Sequence, residues 1–264
     1  MLEIAATVFI LGMMLRLVMD GAVLAGVHAN PPRIDTESVR YGILGSLLAV
    51  YLLEVDYGIA LISAVVLHEI GHVVAYRLMG HRDATFRLLP VLALKPISQS
   101  PPRSEAQEMF IALMGAGFSI APMIVAMSLS QGLEASFPRF ANSLYIVAST
   151  IAALNFINLL PLWPLDGGRL LRLMGHSLCP NMTTRLMLAA SAVATAVAFH
   201  MQSVQLLFIC ALGIHAFVRP EQIETKSAPM SRRIAVYGLT AYGAITATHL
   251  LAGAWLLSWF FWPQ

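Results

Sequence analysis

Charge is scarce in this chain. Only 11% of its 264 residues are Asp, Glu, Lys or Arg, against about 25% in an ordinary soluble domain. The hydrophobic fraction is 58% and the mean hydropathy +0.74. Too few charged side chains are present to coat a water-soluble globule, so the composition points to an integral membrane protein. Basic excess is also missing. The net charge is +2 without a dense cluster of Lys or Arg, which argues against nucleic acid as a partner. Cysteine is nearly absent. Cys179 and Cys210 match no metal or redox spacing and imply no disulfide framework, so both read as small apolar fillers. No basic residue precedes Arg16, which does not fit a cleavable signal peptide, and the first apolar run is expected to stay in the chain. Internal repeats, low-complexity tracts and an appended soluble domain are not evident.

What the chain has instead is apolar runs, at about 4–27, 41–55, 57–79, 106–130, 142–165, 186–199, 203–218 and 234–261. The expected fold is an all-α polytopic membrane protein with about six to eight transmembrane helices. It forms one integral-membrane domain over 1–264. The first run holds Arg16 and Asp20 four apart, as an internal ion pair would be. Pro31-Pro32, Pro101-Pro102 and Pro138 lie between runs. If all eight runs cross, thirteen of the 16 basic residues fall in loops on one side, at 28–40, 80–105, 166–185 and 219–233. Basic loops face the cytoplasm, so both termini are expected outside. In this reading Arg169 and Arg172 are cytoplasmic anchors, and Trp255, Trp259 and Trp262 form an interface belt.

One apolar run contains ionisable residues in a pattern. Within Ala64-Val-Val-Leu-His68-Glu69-Ile-Gly-His72, the histidines are four apart. On a helix that puts both imidazoles on one face. Such a pair can hold Zn²⁺, with Glu69 placed as general base toward a water at the metal. Ionisable groups in hydrocarbon cost about 2.5–3.5 kcal/mol each on insertion scales, so a bland buried cluster is a poor alternative. A catalytic zinc wants a third protein ligand and an open position. Asp166 is the candidate, in Asn155-Phe-Ile-Asn158-Leu-Leu-Pro161-Leu-Trp-Pro164-Leu-Asp166-Gly167-Gly168. Pro161 and Pro164 would break the helix before the membrane surface and let Asp166 reach the depth of the histidines.

The two motifs together, His68-Glu69-x-x-His72 and Asn158-x-x-Pro161-x-x-Pro164-Leu-Asp166-Gly167-Gly168, resemble those of the site-2 intramembrane metalloproteases. The pattern is most similar to the compact bacterial group that includes the sporulation-factor-processing protease, without a PDZ or nucleotide-binding domain. The match covers about 41–218, leaving 4–27 and 234–261 as extra helices. The resemblance implies a zinc-dependent endopeptidase in a bacterial inner membrane. It would cut transmembrane or membrane-associated proteins, such as anchored transcription regulators, from the cytoplasmic side of the bilayer. By the same resemblance Asn158 would hydrogen-bond the scissile carbonyl; a plain helix–helix hydrogen bond is the other reading. Trp163 and Gly115-Ala-Gly117 depart from the family pattern, and the glycines read as close-packing positions.

Residues 84–95 are apolar but too short to span, and are expected as a short membrane-associated β-strand or hairpin, interrupted at Pro90. A protease must unwind a substrate helix and give its backbone new partners. Leu88, Val91, Leu92, Ala93 and Leu94, with Pro164 of the second motif, are therefore the expected substrate-binding residues. Asn155, His200, His215 and His249 read as structural. A cation or proton transporter or channel is the competing function, because it too uses intramembrane His, Glu and Asp. It would be expected to spread them along a path, often with repeat symmetry, and neither is seen here.

Overall fold

The computed structural model describes residues 33–34, 36–86, 97–217 and 229–261. Among these, nearly all the chain is helical: α1 (Thr36–Leu53), α2 (Val55–Leu78), α3 (Glu105–Leu133), α4 (Pro138–Asn158), α5 (Asp166–Leu178), α6 (Thr183–His200), α7 (Val204–Phe217) and α8 (Arg232–Phe261). Two strands of two residues each, β1 (Arg33–Ile34) and β2 (Thr85–Phe86), pair in parallel. Five helical stretches are long and apolar enough to cross a membrane: Val55–Leu78, Glu105–Leu133, Pro138–Asn158, Pro180–His200 and Arg232–Trp259. The chain is thus an all-α polytopic membrane protein. The expected run at 4–27 lies outside the described residues. At 14 residues α7 extends about 21 Å, short of a hydrocarbon core of about 30 Å.

The chain divides into two compact units. The first holds residues up to Pro101 together with Met114–Asn155. Here α1 and α2 form a hairpin around Glu54, and a Cβ on Gly58 would lie 2.5 Å from the Val50 backbone. Helix α2 is apolar, with Asp56 in its first turn and Arg77 in its last, each favourable to the helix dipole. It stops at Gly80, whose φ of +89° suits a residue without a side chain. After it, β2 is flanked on both sides. β1 pairs with it on one edge, and on the other the Thr85 N–H donates to the Ile97 carbonyl at 2.9 Å. Asp83 clamps the same place, accepting from the Gln99 N–H at 2.7 Å and the Ser98 hydroxyl at 2.9 Å. Burial raises the Asp83 pKa, but these hydrogen bonds outweigh it and the carboxyl stays below its ordinary value.

The second unit holds Pro102–Leu113, which are the first turns of α3, and the chain from Phe156. Two differences from the sequence expectation appear here. The run at 142–165 is not one helix; α4 ends at Asn158, because Pro161 and Pro164 cannot continue it. The stretch 166–185, expected as a loop, is largely the amphipathic helix α5, followed by a 3₁₀ turn at Pro180–Met182. Leu170, Leu173 and Met174 line its buried face.

Candidate metal centre

In the first unit, His68, Glu69 and His72 occupy the middle of α2, and all three are buried. The two Nε2 atoms lie 3.0 Å apart, with the rings edge to face at 83°. The direction of the His68 ring is set by Asn155. The Asn155 amide nitrogen donates to the Ile151 carbonyl at 2.8 Å, which turns its oxygen toward His68 Nδ1, 2.7 Å away. That oxygen can only accept, so Nδ1 carries the proton and donates, and Nε2 keeps its lone pair. Zn–N bonds of about 2.0–2.1 Å at a tetrahedral angle put two nitrogens roughly 3.3 Å apart. The observed pair is within a few tenths of an ångström of that, so the donors suit a shared metal ion. Gly115 makes the room: a Cβ there would lie 2.5 Å from His72 Nε2 and 2.7 Å from His68 Cε1. Asn155 was expected to be structural, and its role toward His68 is the main feature that spacing alone missed.

In the second unit, Asp166 is the first residue of α5 and is buried. The loop before it folds back tightly on the first turn of α5. A Cβ on Gly167 would lie 2.2 Å from the Leu159 carbonyl oxygen, and one on Gly168 would lie 2.4 Å from the Leu162 carbonyl carbon. Only glycines allow that approach. Asn158, half-buried, ends α4, and Pro164 is exposed. The guanidinium of exposed Arg169 stands 3.8 Å from Asp166.

Arg172 departs from the expected cytoplasmic anchor. It is buried, ion-paired with Glu108 at the start of α3, and lies over the Trp163 ring at 5.4 Å from the centroid. One turn earlier in α3, fully buried Glu105 is bonded to His176 Nδ1 at 2.6 Å and accepts from the Ser177 hydroxyl at 3.1 Å and the Met230 N–H at 3.2 Å. Buried charges of this kind persist when paired. Here they fasten α5, and through Trp163 the loop before it.

His68 and His72 of the first unit and Asp166 of the second are each buried, and each carries an atom able to ligate a metal ion. Leu88, Val91, Leu92, Ala93 and Leu94 lie outside the described residues. At Thr85–Phe86 both strand edges are already engaged, so no free edge exists at that end of the stretch.

Fold and site define a multi-pass membrane protein with a candidate metal centre. Residues 119–201 match peptidase family M50, a span that contains Asn158 and Asp166 but not His68 or His72. A zinc metalloprotease of Methanocaldococcus jannaschii is 31% identical over 114 residues, 43% of this chain and 32% of that protein. The chain thus matches about a third of that relative's length. No solved structure matches. The similarity is to the site-2 protease family that the motifs resemble.

Proposed function

We propose that this chain is a zinc-dependent intramembrane endopeptidase. The observation that carries the reading is the pair of buried Nε2 atoms 3.0 Å apart on an apolar helix, with Asn155 holding His68 in the tautomer that ligates. His68, His72 and Asp166 would hold the zinc. When bound, it supplies Lewis acidity and lowers the pKa of a water to about 7. Glu69, next to His68 in the chain, takes the proton of the attacking water and passes it to the departing amine nitrogen. The Asn158 amide donates to the scissile carbonyl oxygen as charge develops there. Substrates in this reading are transmembrane or membrane-associated proteins such as anchored transcription regulators, in a bacterial inner membrane. The basic bias of the loops supports a site toward the cytoplasm. Leu88, Val91, Leu92, Ala93 and Leu94, within the stretch 84–95 that the Asp83 clamp borders, are the candidate residues for pairing with an unwound substrate. A transporter has no corresponding use for a tautomer-fixed histidine pair at one depth.

The test is Glu69→Gln, read for cleavage of a membrane-anchored substrate and for metal content on the same preparation. Cleavage should fall by about 10²–10⁴-fold with metal retained. Undiminished cleavage would refute the assignment of Glu69.

A further inference from the structure

Helix α8 lies beyond the motif-bearing part of the chain, and neither motif uses it. It is nevertheless fastened to the second unit at three places. Its entry is held by the Met230 N–H on Glu105. Gly238 abuts Met109 so closely that a Cβ would lie 2.1 Å from the sulfur. One turn later, the Tyr242 hydroxyl donates to the Leu159 carbonyl at 2.6 Å.

That carbonyl belongs to the first residue after α4. In a continuing helix it would accept from the N–H of residue 163. Instead the chain breaks, and the Leu162 N–H turns to the Leu160 carbonyl at 2.7 Å. Leu159 is fully buried. A released carbonyl at membrane depth has to be covered by the protein itself, and Tyr242 covers this one. The same oxygen, with that of Leu160, forbids a side chain at Gly167. It therefore sits against the backbone of the residue that follows Asp166, and the hydroxyl fixes the surface on which the first turn of α5 rests.

We propose that Tyr242 is a positioning residue for Asp166, acting through the Leu159 carbonyl, so that the last helix is a working part of the metal centre. The inference rests on the reading of Asp166 as a ligand. It predicts a defect in metal binding rather than in folding alone.

The experiment uses the full chain in detergent, compared as wild type, Tyr242→Phe, Asp166→Ala and Thr240→Val, the last an exposed hydroxyl on the same helix bonded only to its own backbone. Each is read by cobalt affinity in chelator competition, by the cobalt visible spectrum, and by thermal melting without metal. Tyr242→Phe should weaken cobalt binding by about 10–100-fold and alter the spectrum, while Thr240→Val behaves as wild type. 4-Aminophenylalanine at 242 keeps a donor in place and should restore both. If Asp166→Ala binds cobalt as wild type does, the ligand assignment itself fails. If Asp166→Ala loses cobalt but Tyr242→Phe keeps wild-type affinity and spectrum, only the positioning role fails. A lower melting temperature for Tyr242→Phe with unchanged affinity and spectrum would likewise reduce the hydroxyl to a packing contact and overturn the proposal.

Discussion

The histidines sit in the middle of an unbroken helix of 24 residues, whereas Asp166 opens a helix that follows a broken one. The difference lies in how each is held. His68 and His72 inherit their placement from the i, i+4 geometry of α2. Asn155 orients the His68 ring, and the missing side chain at Gly115 leaves room for both. Asp166 inherits little from helix geometry. Its loop is held by contacts distant in sequence: Gly167 and Gly168 against the loop carbonyls, Tyr242 on Leu159, and Arg172 between Glu108 and Trp163. A ligand on a regular helix can be supported by its neighbours. A ligand on an irregular segment in a membrane needs the rest of the unit to cover the exposed backbone.

The comparison can be broken by perturbing one region and reading the other. Arg172→Ala should have the largest effect on stability, about 3 kcal/mol. That is the low end for a buried pair because the Glu108 side chain is 24% exposed while that of Arg172 is 7%. Thermal melting of metal-free protein would measure it. Arg172→Lys should not recover it in full, since an ammonium cannot both pair with Glu108 and lie flat over Trp163. If Arg172→Ala melted as wild type, the loop would not depend on this network.

Gly115→Ala should act mainly on the other region, pushing the imidazoles apart at a smaller cost to the metal-free fold. The new methyl would start 2.5 Å from His72 Nε2. Overpacking costs up to about 3 kcal/mol of stability, and moving the donors should weaken metal binding by about 10–100-fold. Chelator competition would read it, and unchanged affinity would mean that the histidine pair is not held by this wall. Asn155→Leu comes third, at about tenfold in affinity, since it frees the His68 tautomer without moving the helix. Titration with cobalt would show it, and a change in melting without a change in affinity would return Asn155 to a packing role.

Legibility followed the same division. The His-Glu-x-x-His pattern carries its own geometry, and Pro161 and Pro164 announced the break that presents Asp166. Hydropathy ran on to residue 165 because Leu159, Leu160, Leu162 and Leu165 are as apolar as the helix before them; the backbone stops at Asn158 regardless. Helix α5 does not stand out in hydropathy because its charged face hides its apolar one from a running average, though Leu170, Leu173 and Met174 have helical spacing. Arg172 resembles an anchor in sequence because a basic residue beside a span fits the positive-inside rule whether it faces water or a buried Glu108. Acidic residues at 105 and 108, one turn apart like their partners Arg172 and His176, were the available signal. Asn155 and Tyr242 had none, since a contact across 87 or 83 residues leaves no local pattern.

The central claim is that the α2 histidines ligate a metal, and metal analysis of the purified chain tests it most directly. Wild-type protein should hold about one zinc per chain, and the His68→Ala/His72→Ala double variant should hold none above background. Zinc retained at wild-type stoichiometry in the double variant would contradict the account.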